Sequence, residues 1–82
     1  MIDLSIISVG YKTKVFLKRC LRSIKETVPQ KINYEIIVVD NNSQDGTVEM
    51  LKKEFPKVKL IANKNNVGYS KANNQGINVS QK

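Results

Sequence analysis

Three short polar segments carry the side chains with chemical potential in this 82-residue chain: Gly10-Tyr11, Asp40-Asn41-Asn42 and Asn63 with the stretch to Gly68. Each follows an apolar run. Gly10 lets a ligand or a second backbone come close, and Tyr11 offers an aromatic face on which a base can stack. Asp40 offers an acceptor for a base N–H or a sugar hydroxyl. A helix starting after Gly68 would aim free backbone N–H groups at the same region, a setting that favours phosphate. Each residue also has a plainer reading. Asp40 is a natural turn former, and Tyr11 can sit at the margin of a core. Convergence at successive strand ends is what favours a ligand site.

Several other chemistries are excluded. The chain has no His and a single Cys, so a Ser-His-Asp triad, a Cys-His pair and a zinc centre have no residues to build them. Cys20 has no partner for an internal disulfide and falls on the apolar side of a helical pattern, where a buried structural thiol is expected. A Walker loop is absent, and no Gly-x-Gly-x-x-Gly follows the first apolar run, which argues against a nicotinamide site. Asp40 and Asp45 form a poor catalytic pair, because Asp45 is better placed as a helix cap.

The elements that position these segments follow from periodicity. Leu4 to Val9 reads as a first strand ended by Gly10. From Thr13, a plausible N-cap, Phe16 or Leu17, Cys20, Leu21, Ile24 and Val28 recur at helical spacing, with Lys14, Lys18, Arg22 and Lys25 opposite them. Pro29 limits that helix. Tyr34 to Val39 is a β-branched run without alternation, the pattern of a central parallel strand covered on both faces. Asp45 or Ser43 is expected to cap a second helix with a buried stripe of Val48, Leu51 and Phe55, stopped by Pro56. Val58 to Ile61 is a short third strand, and Tyr69 to about Val79 a third helix.

Strand-helix alternation repeated three times predicts an α/β fold: a three-layer, Rossmann-like parallel sheet joined by crossovers. In such sheets ligands bind at the carboxyl ends of the strands, where the polar segments fall. The chain reads as one domain, residues 1–82, and as the N-terminal part of something longer. Nothing approaches the roughly 20 apolar residues of a membrane helix, and the short apolar stretch near the N-terminus lacks the basic leader of a signal peptide.

The net charge is +7. Lys12 to Lys31 holds seven basic residues against the single acid Glu26, while the other 62 residues sum to +1. This is either a solvated helix face or a surface for nucleic acid, anionic lipid or a phosphorylated ligand. Aromatic residues are few, at 6%, and no nucleic-acid-binding signature is visible, so nucleic acid is not expected. The reading from a different class is a stand-alone basic α/β module for nucleic acid or anionic membrane. A receiver or flavodoxin-like domain is disfavoured, since the first loop lacks clustered acids or a Ser/Thr-rich phosphate loop.

Three blocks of sequence resemble the N-terminal part of family 2 glycosyltransferases with the A-type nucleotide-sugar fold. They are Leu4 to Tyr11, Tyr34 to Thr47 with its Val-Asp, polar turn and Asp-Gly, and Asn66 to Ile77. The Asn73-Asn74 pair is most similar to the rhamnosyltransferase-like branch. The resemblance implies a sheet order 3-2-1 and transfer of a sugar from a UDP-, dTDP- or GDP-sugar in glycan or polysaccharide synthesis. It implies a nucleotide-sugar site drawn from Val9, Gly10, Tyr11, Asp40, Asn42, Gly68, Lys71, Asn73 and Asn74. In it Tyr11 lies near the base, Asp40 hydrogen-bonds the base, and Ala72 to Asn74 lie beside the nucleoside and diphosphate. Asn42, Asp45 and Gly46 mainly shape the loop after the second strand.

The chain departs from the family pattern at Val9, where many members have Thr, at Lys12, where many have Asn, and at Asn73, where many have Arg. The last change removes a cation near the diphosphate and leaves Lys71 or Lys12 to supply one. Family members also carry an Asp-rich motif for a divalent cation (Mg or Mn) and, in the inverting ones, a catalytic base further on. No Asp or Glu follows Glu54 here, so no catalytic or metal residue is assigned and the chain alone is expected not to transfer sugar. Leaving out later strands would expose the edge of Leu4 to Val9 and invite a homodimer. A cytoplasmic location is expected, with contact at the inner membrane face through the basic first helix.

Overall fold

The computed structural model describes residues 2–81. The elements alternate as β1 (Leu4–Gly10), α1 (Lys14–Thr27), β2 (Tyr34–Asp40), α2 (Thr47–Glu54), β3 (Lys59–Ala62) and α3 (Tyr69–Val79). The strands form one parallel sheet in the order β1-β2-β3. That is the predicted 3-2-1 order seen from the other edge. Gly10 pairs with Asp40, and Asp40 with Ala62, so the three strands finish level. β2 is central. Ile37, Val38 and Val39 are fully buried because helices cover both faces, which explains its unbroken apolar run.

Ile36 and Val38 point to the face covered by α1 and α2, where Leu17, Leu21, Met50, Leu51 and Phe55 complete the main core. The opposite face takes α3, whose Ala72 and Gly76 are its buried residues. Small residues there let the helix lie close to Ile7 and Val39. The result is the three-layer α/β arrangement the alternation predicts.

Tertiary packing settles several local points differently from the pattern. In α1, Leu17 is the buried residue and Phe16 is 68% exposed. Thr13 occupies the N-cap of α1 without a side-chain capping bond. The predicted cap of α2 shifts to Gly46, which is left-handed, while Asp45 just before it accepts the Thr47 N–H at 3.1 Å. Met50 joins Leu51 and Phe55 in the buried stripe of α2, and Val48 is only half-buried. β3 runs one residue later than expected, from Lys59 to Ala62. Cys20 is half-buried and unpaired rather than fully enclosed.

The basic flank of α1 is also less free than its charge suggests. Glu54 of α2 pairs with Lys18 at 2.9 Å and with Arg22 at 3.7 Å. The Lys18 hydrogen bond, helped by the nearby Arg22 and Lys53 charges, holds the Glu54 carboxyl below its ordinary value against some burial. Lys25 lies over the Phe55 ring, 5.7 Å from its centre.

Candidate nucleotide site at the strand ends

Level strand ends bring three loops into one rim. The first follows β1, where Gly10 is buried, Tyr11 is 45% exposed and Lys12 adopts a left-handed backbone with φ of 57°. The second follows β2, where Asn42 and Gln44 are also left-handed, with φ of 65° and 54°. Non-glycine residues adopt this conformation uncommonly, and such outliers cluster where loops are held for a purpose. The third runs from Asn63 to Gly68, and Gly68 has φ 86° and ψ 163°, a conformation essentially reserved for glycine.

Asp40 is 3% exposed and organises the first two loops. Its Oδ1 accepts the Ser43 hydroxyl at 2.5 Å and its Oδ2 the Ser43 N–H at 3.2 Å. The Ser43 Oγ then accepts the Lys12 N–H at 2.8 Å. Asp40 is therefore a turn former, as its plainer reading holds. A carboxylate has about four acceptor directions, and Ser43 fills two of them.

Asp45 ties α1 to α2. It accepts from the Thr47 hydroxyl and N–H through Oδ1, and its Oδ2 accepts the Lys14 N–H at 3.3 Å. Burial pushes this carboxyl up, but the bonds from Thr47 and the Lys14 N–H together outweigh it and hold it below the ordinary value. This places Asp45 in loop construction and separates it from any acid–base pairing with Asp40.

Asn41 joins the rim to α3. Its N–H donates to the Gly10 carbonyl at 2.9 Å, and its side-chain Nδ2 to the Gly68 carbonyl at 3.4 Å. The Asn63 N–H donates to the Asp40 carbonyl at 2.9 Å. Gly10, Asp40 and Gly68 are thus brought together. Val9 is half-buried at the end of β1, next to them in sequence and paired with Val39. Lys71 and Asn74 are exposed on the first turns of α3, with Asn73 half-buried between them. The Lys12 ammonium lies 5.2 Å from the centre of the Tyr11 ring, so the face expected to meet a base is partly covered by a neighbouring cation.

A cleft of about 540 Å3 opens at this end between the β2 and β3 loops, with Asp40, Asn42, Gly46, Thr47, Asn63 and Lys64 among its walls. Of the predicted site residues, Asp40 and Asn42 line it, and Val9, Gly10, Tyr11, Gly68, Lys71, Asn73 and Asn74 do not. Another cleft, of about 470 Å3, lies at the opposite end of the sheet beside Tyr34 and Pro56, remote from the rim. Its walls include Tyr34, Ile36, Phe55 and Val58 from the margin of the main core.

The sequence offers Ser43 only as a helix cap and Asn63 only as part of a polar strand-end loop, and it gives Gln75 no role, although all three hold the rim. For Ser43 the usable signal is its place in a polar turn just after Asp40, since Asp side chains readily bond nearby backbone in turns. Asn63 and Gln75 meet only through the packing of α3.

Residues 5–82 match the family described as Glycosyl transferase family 2. The chain is 30% identical over 79 residues to glycosyltransferase AglE of Haloferax volcanii, covering 93% of this chain and 26% of that protein. It is 30% identical over 74 residues to an N-acetylglucosaminyl-diphospho-decaprenol L-rhamnosyltransferase of Mycobacterium tuberculosis, covering 90% and 24%. Its fold is similar to that of a mannosyltransferase from Pyrobaculum calidifontis solved with GDP-Man and Mn2+, with a TM-score of 0.78, 24% identity, and coverage of 95% of this chain and 24% of that one. The chain spans about a quarter of the length of the curated relatives it matches.

Proposed function

We propose, for a chain that belongs to glycosyl transferase family 2, that it supplies the donor-nucleotide part of a sugar-transferring enzyme and forms a single N-terminal unit of it. The donor is a UDP-, dTDP- or GDP-linked sugar. The observation that carries this reading is the hydrogen-bonded rim in which Asn41 ties Gly10 to Gly68 beside Asp40, at the edge where open α/β sheets bind ligands. On that rim Tyr11 stacks on the base once Lys12 swings aside, and Asp40 accepts a base N–H with the acceptor directions Ser43 leaves free. Val9 and Asn42 shape the floor. Lys71, Asn73 and Asn74 border the diphosphate side, with Lys71 or Lys12 as the available cation. The GDP-Man of the Pyrobaculum mannosyltransferase and the name of the mycobacterial rhamnosyltransferase support this class of donor and a role in glycan or polysaccharide synthesis. Neither comparison favours a stand-alone basic module.

A divalent cation is expected in the whole enzyme, as Mn2+ accompanies GDP-Man in the mannosyltransferase. The residues described here do not fit one. Among them no three His, Cys, Asp or Glu side chains stand together, and no Asp or Glu follows Glu54. The chain's own contribution is to bind and orient the donor, and transfer by these residues alone is not expected.

Two surfaces bear on partners. Among the described residues β1 pairs only with β2, and its free edge supports a two-fold pairing of copies. The outer face of α1 presents Arg19 beside Val15 and Phe16, which are 67% and 68% exposed. That combination supports contact with an anionic membrane surface. Among the described residues no helix is long and apolar enough to cross a membrane. The basic face of α1 is what favours the cytoplasmic leaflet, where anionic lipids concentrate.

Amide NMR of the chain titrated with UDP, dTDP and GDP tests the donor reading. Shifts are expected at Gly10–Lys12, Asp40–Asn42 and Gly68–Asn74. Shifts confined to the cleft near Tyr34 and Pro56, or none at all, overturn it.

A further inference from the structure

Three side-chain amides form a chain, of which the nucleotide reading uses only the Asn41 link to Gly68. Asn41 is 3% exposed, and its orientation is set by backbone groups. Nδ2 donates to the Gly68 carbonyl at 3.4 Å, while Oδ1 accepts the Val67 N–H at 3.5 Å and the Asn63 Nδ2 at 2.9 Å. A flipped amide would set oxygen against the Gly68 carbonyl and an NH2 against the Val67 N–H, so only one orientation satisfies the site. Asn63 passes that choice on. Its Nδ2 also donates to Gln75 Oε1 at 2.8 Å, and Gln75 Nε2 donates back to Asn63 Oδ1 at 3.1 Å. The backbone at residues 67–68 thereby dictates the pose of a side chain in the second turn of α3, and the reverse.

The loop has few other tethers. Lys64, Asn65 and Asn66 are exposed, and the Gly68 N–H bonds only locally, to Asn66 Oδ1 at 2.9 Å. Further along, Ala72 and Gly76 anchor α3 to the sheet independently of these amides. Loss of the amide chain should therefore leave α3 docked while its first turn and the preceding loop relax.

We propose that Asn41, Asn63 and Gln75 are positioning residues for nucleoside-diphosphate binding: they hold the start of α3 in register with Gly10 and Asp40. This rests on the donor-nucleotide reading. The three residues act through the placement of residues 67–74.

The test uses the 82-residue chain, with affinity for GDP, UDP and dTDP read by amide NMR. Asn63→Ala breaks the chain at its middle. Gln75→Met keeps length and helix propensity and removes only the outer link. Each variant is expected to bind the preferred nucleotide about 5- to 10-fold more weakly, the scale of one or two lost hydrogen bonds. The double variant should be no weaker than Asn63→Ala alone, because both act through one path. The Val67 and Gly68 amide resonances should shift in both variants while those of β2 stay in place. Ser80→Ala, which removes a hydroxyl bond at the far end of α3, should leave affinity unchanged and so separates general destabilisation from positioning. Wild-type binding with equal binding by Gln75→Met and any folded Asn63→Ala overturns this inference alone. A wild-type chain that binds no nucleotide overturns the donor reading and this inference with it.

Discussion

Gly76 of α3 lies so close to Ile7 of β1 that a Cβ at position 76 would stand 2.6 Å from the Ile7 Cγ2 and 3.6 Å from a Val39 methyl. That contact sets how near the helix comes to the sheet. It also decides a competition between two effects of known size.

In an open helix Gly76→Ala would stabilise by about 0.5–1 kcal/mol through backbone entropy. Here the new methyl meets a β-branched side chain whose χ1 is stiff, and overpacking of that kind costs about 1–3 kcal/mol. The second effect wins. Gly76→Ala is expected to lower the urea midpoint without changing the slope, and Gly76→Val to do so more strongly. An Ala variant as stable as wild type would show that α3 can move off Ile7 at no cost.

Glu35 closes the opposite end of the sheet from the rim. Its Oε2 accepts the Ser5 hydroxyl at 2.5 Å and the Gln81 N–H at 2.6 Å, and its Oε1 pairs with Lys59 at 2.9 Å. It thus links β1, β3 and the chain after α3. The Ser5 bond, then the Gln81 N–H and Lys59, lower its carboxyl from 4.5 to about 2 against a smaller burial penalty. A folded value below the unfolded one stabilises above the unfolded value and loses that stability as pH falls through the folded one. Wild type should therefore lose thermal stability as pH falls from about 4.5 toward 2. Glu35→Gln should start lower at neutral pH and fall less steeply across that window. Parallel melting curves for the two proteins would refute the assignment.

Gly68 has φ 86° and ψ 163°, with nothing within 4 Å of the position a Cβ would take. The need for glycine is thus conformational and owes nothing to space. Gly68→Ala should cost about 1–3 kcal/mol of strain, or reset the loop to avoid it. Either outcome shifts the Ala72 amide, which donates to the Gly68 carbonyl at 3.2 Å. Chemical denaturation and amide NMR together read both, and an Ala variant with wild-type stability and spectra would contradict the argument.

Among the described residues β1 pairs only with β2, and that open edge predicts concentration-dependent association of this chain. Leu4 is 38% exposed near its start, and the strand carries no charged residue. A lysine on such an edge discourages pairing. Sedimentation should show dimers forming with concentration in wild type and markedly fewer in Leu4→Lys. A strictly monomeric wild type would remove the pairing proposal.

Much of this was legible in the residues themselves. Helix and strand periods, the prolines at 29 and 56 and the β-branched run at 34–39 dictate an α/β alternation, because each pattern leaves one way to bury its apolar atoms. That alternation places Gly10, Asp40 and the Asn63–Gly68 loop at one sheet edge, and the Val-Asp and Asp-Gly blocks carry the family resemblance. What the chain order could not reveal depends on atoms far apart in sequence. Leu17 rather than Phe16 enters the core because the α1–sheet contact selects one side of the helix. Ser43 occupies Asp40, Glu54 draws in Lys18 and Arg22, and Asn41, Asn63 and Gln75 find one another only once α3 has settled on β1 and β2. Periodicity reports how a segment meets the core; the partner of a polar side chain is chosen by three-dimensional proximity, and only the folded packing determines it.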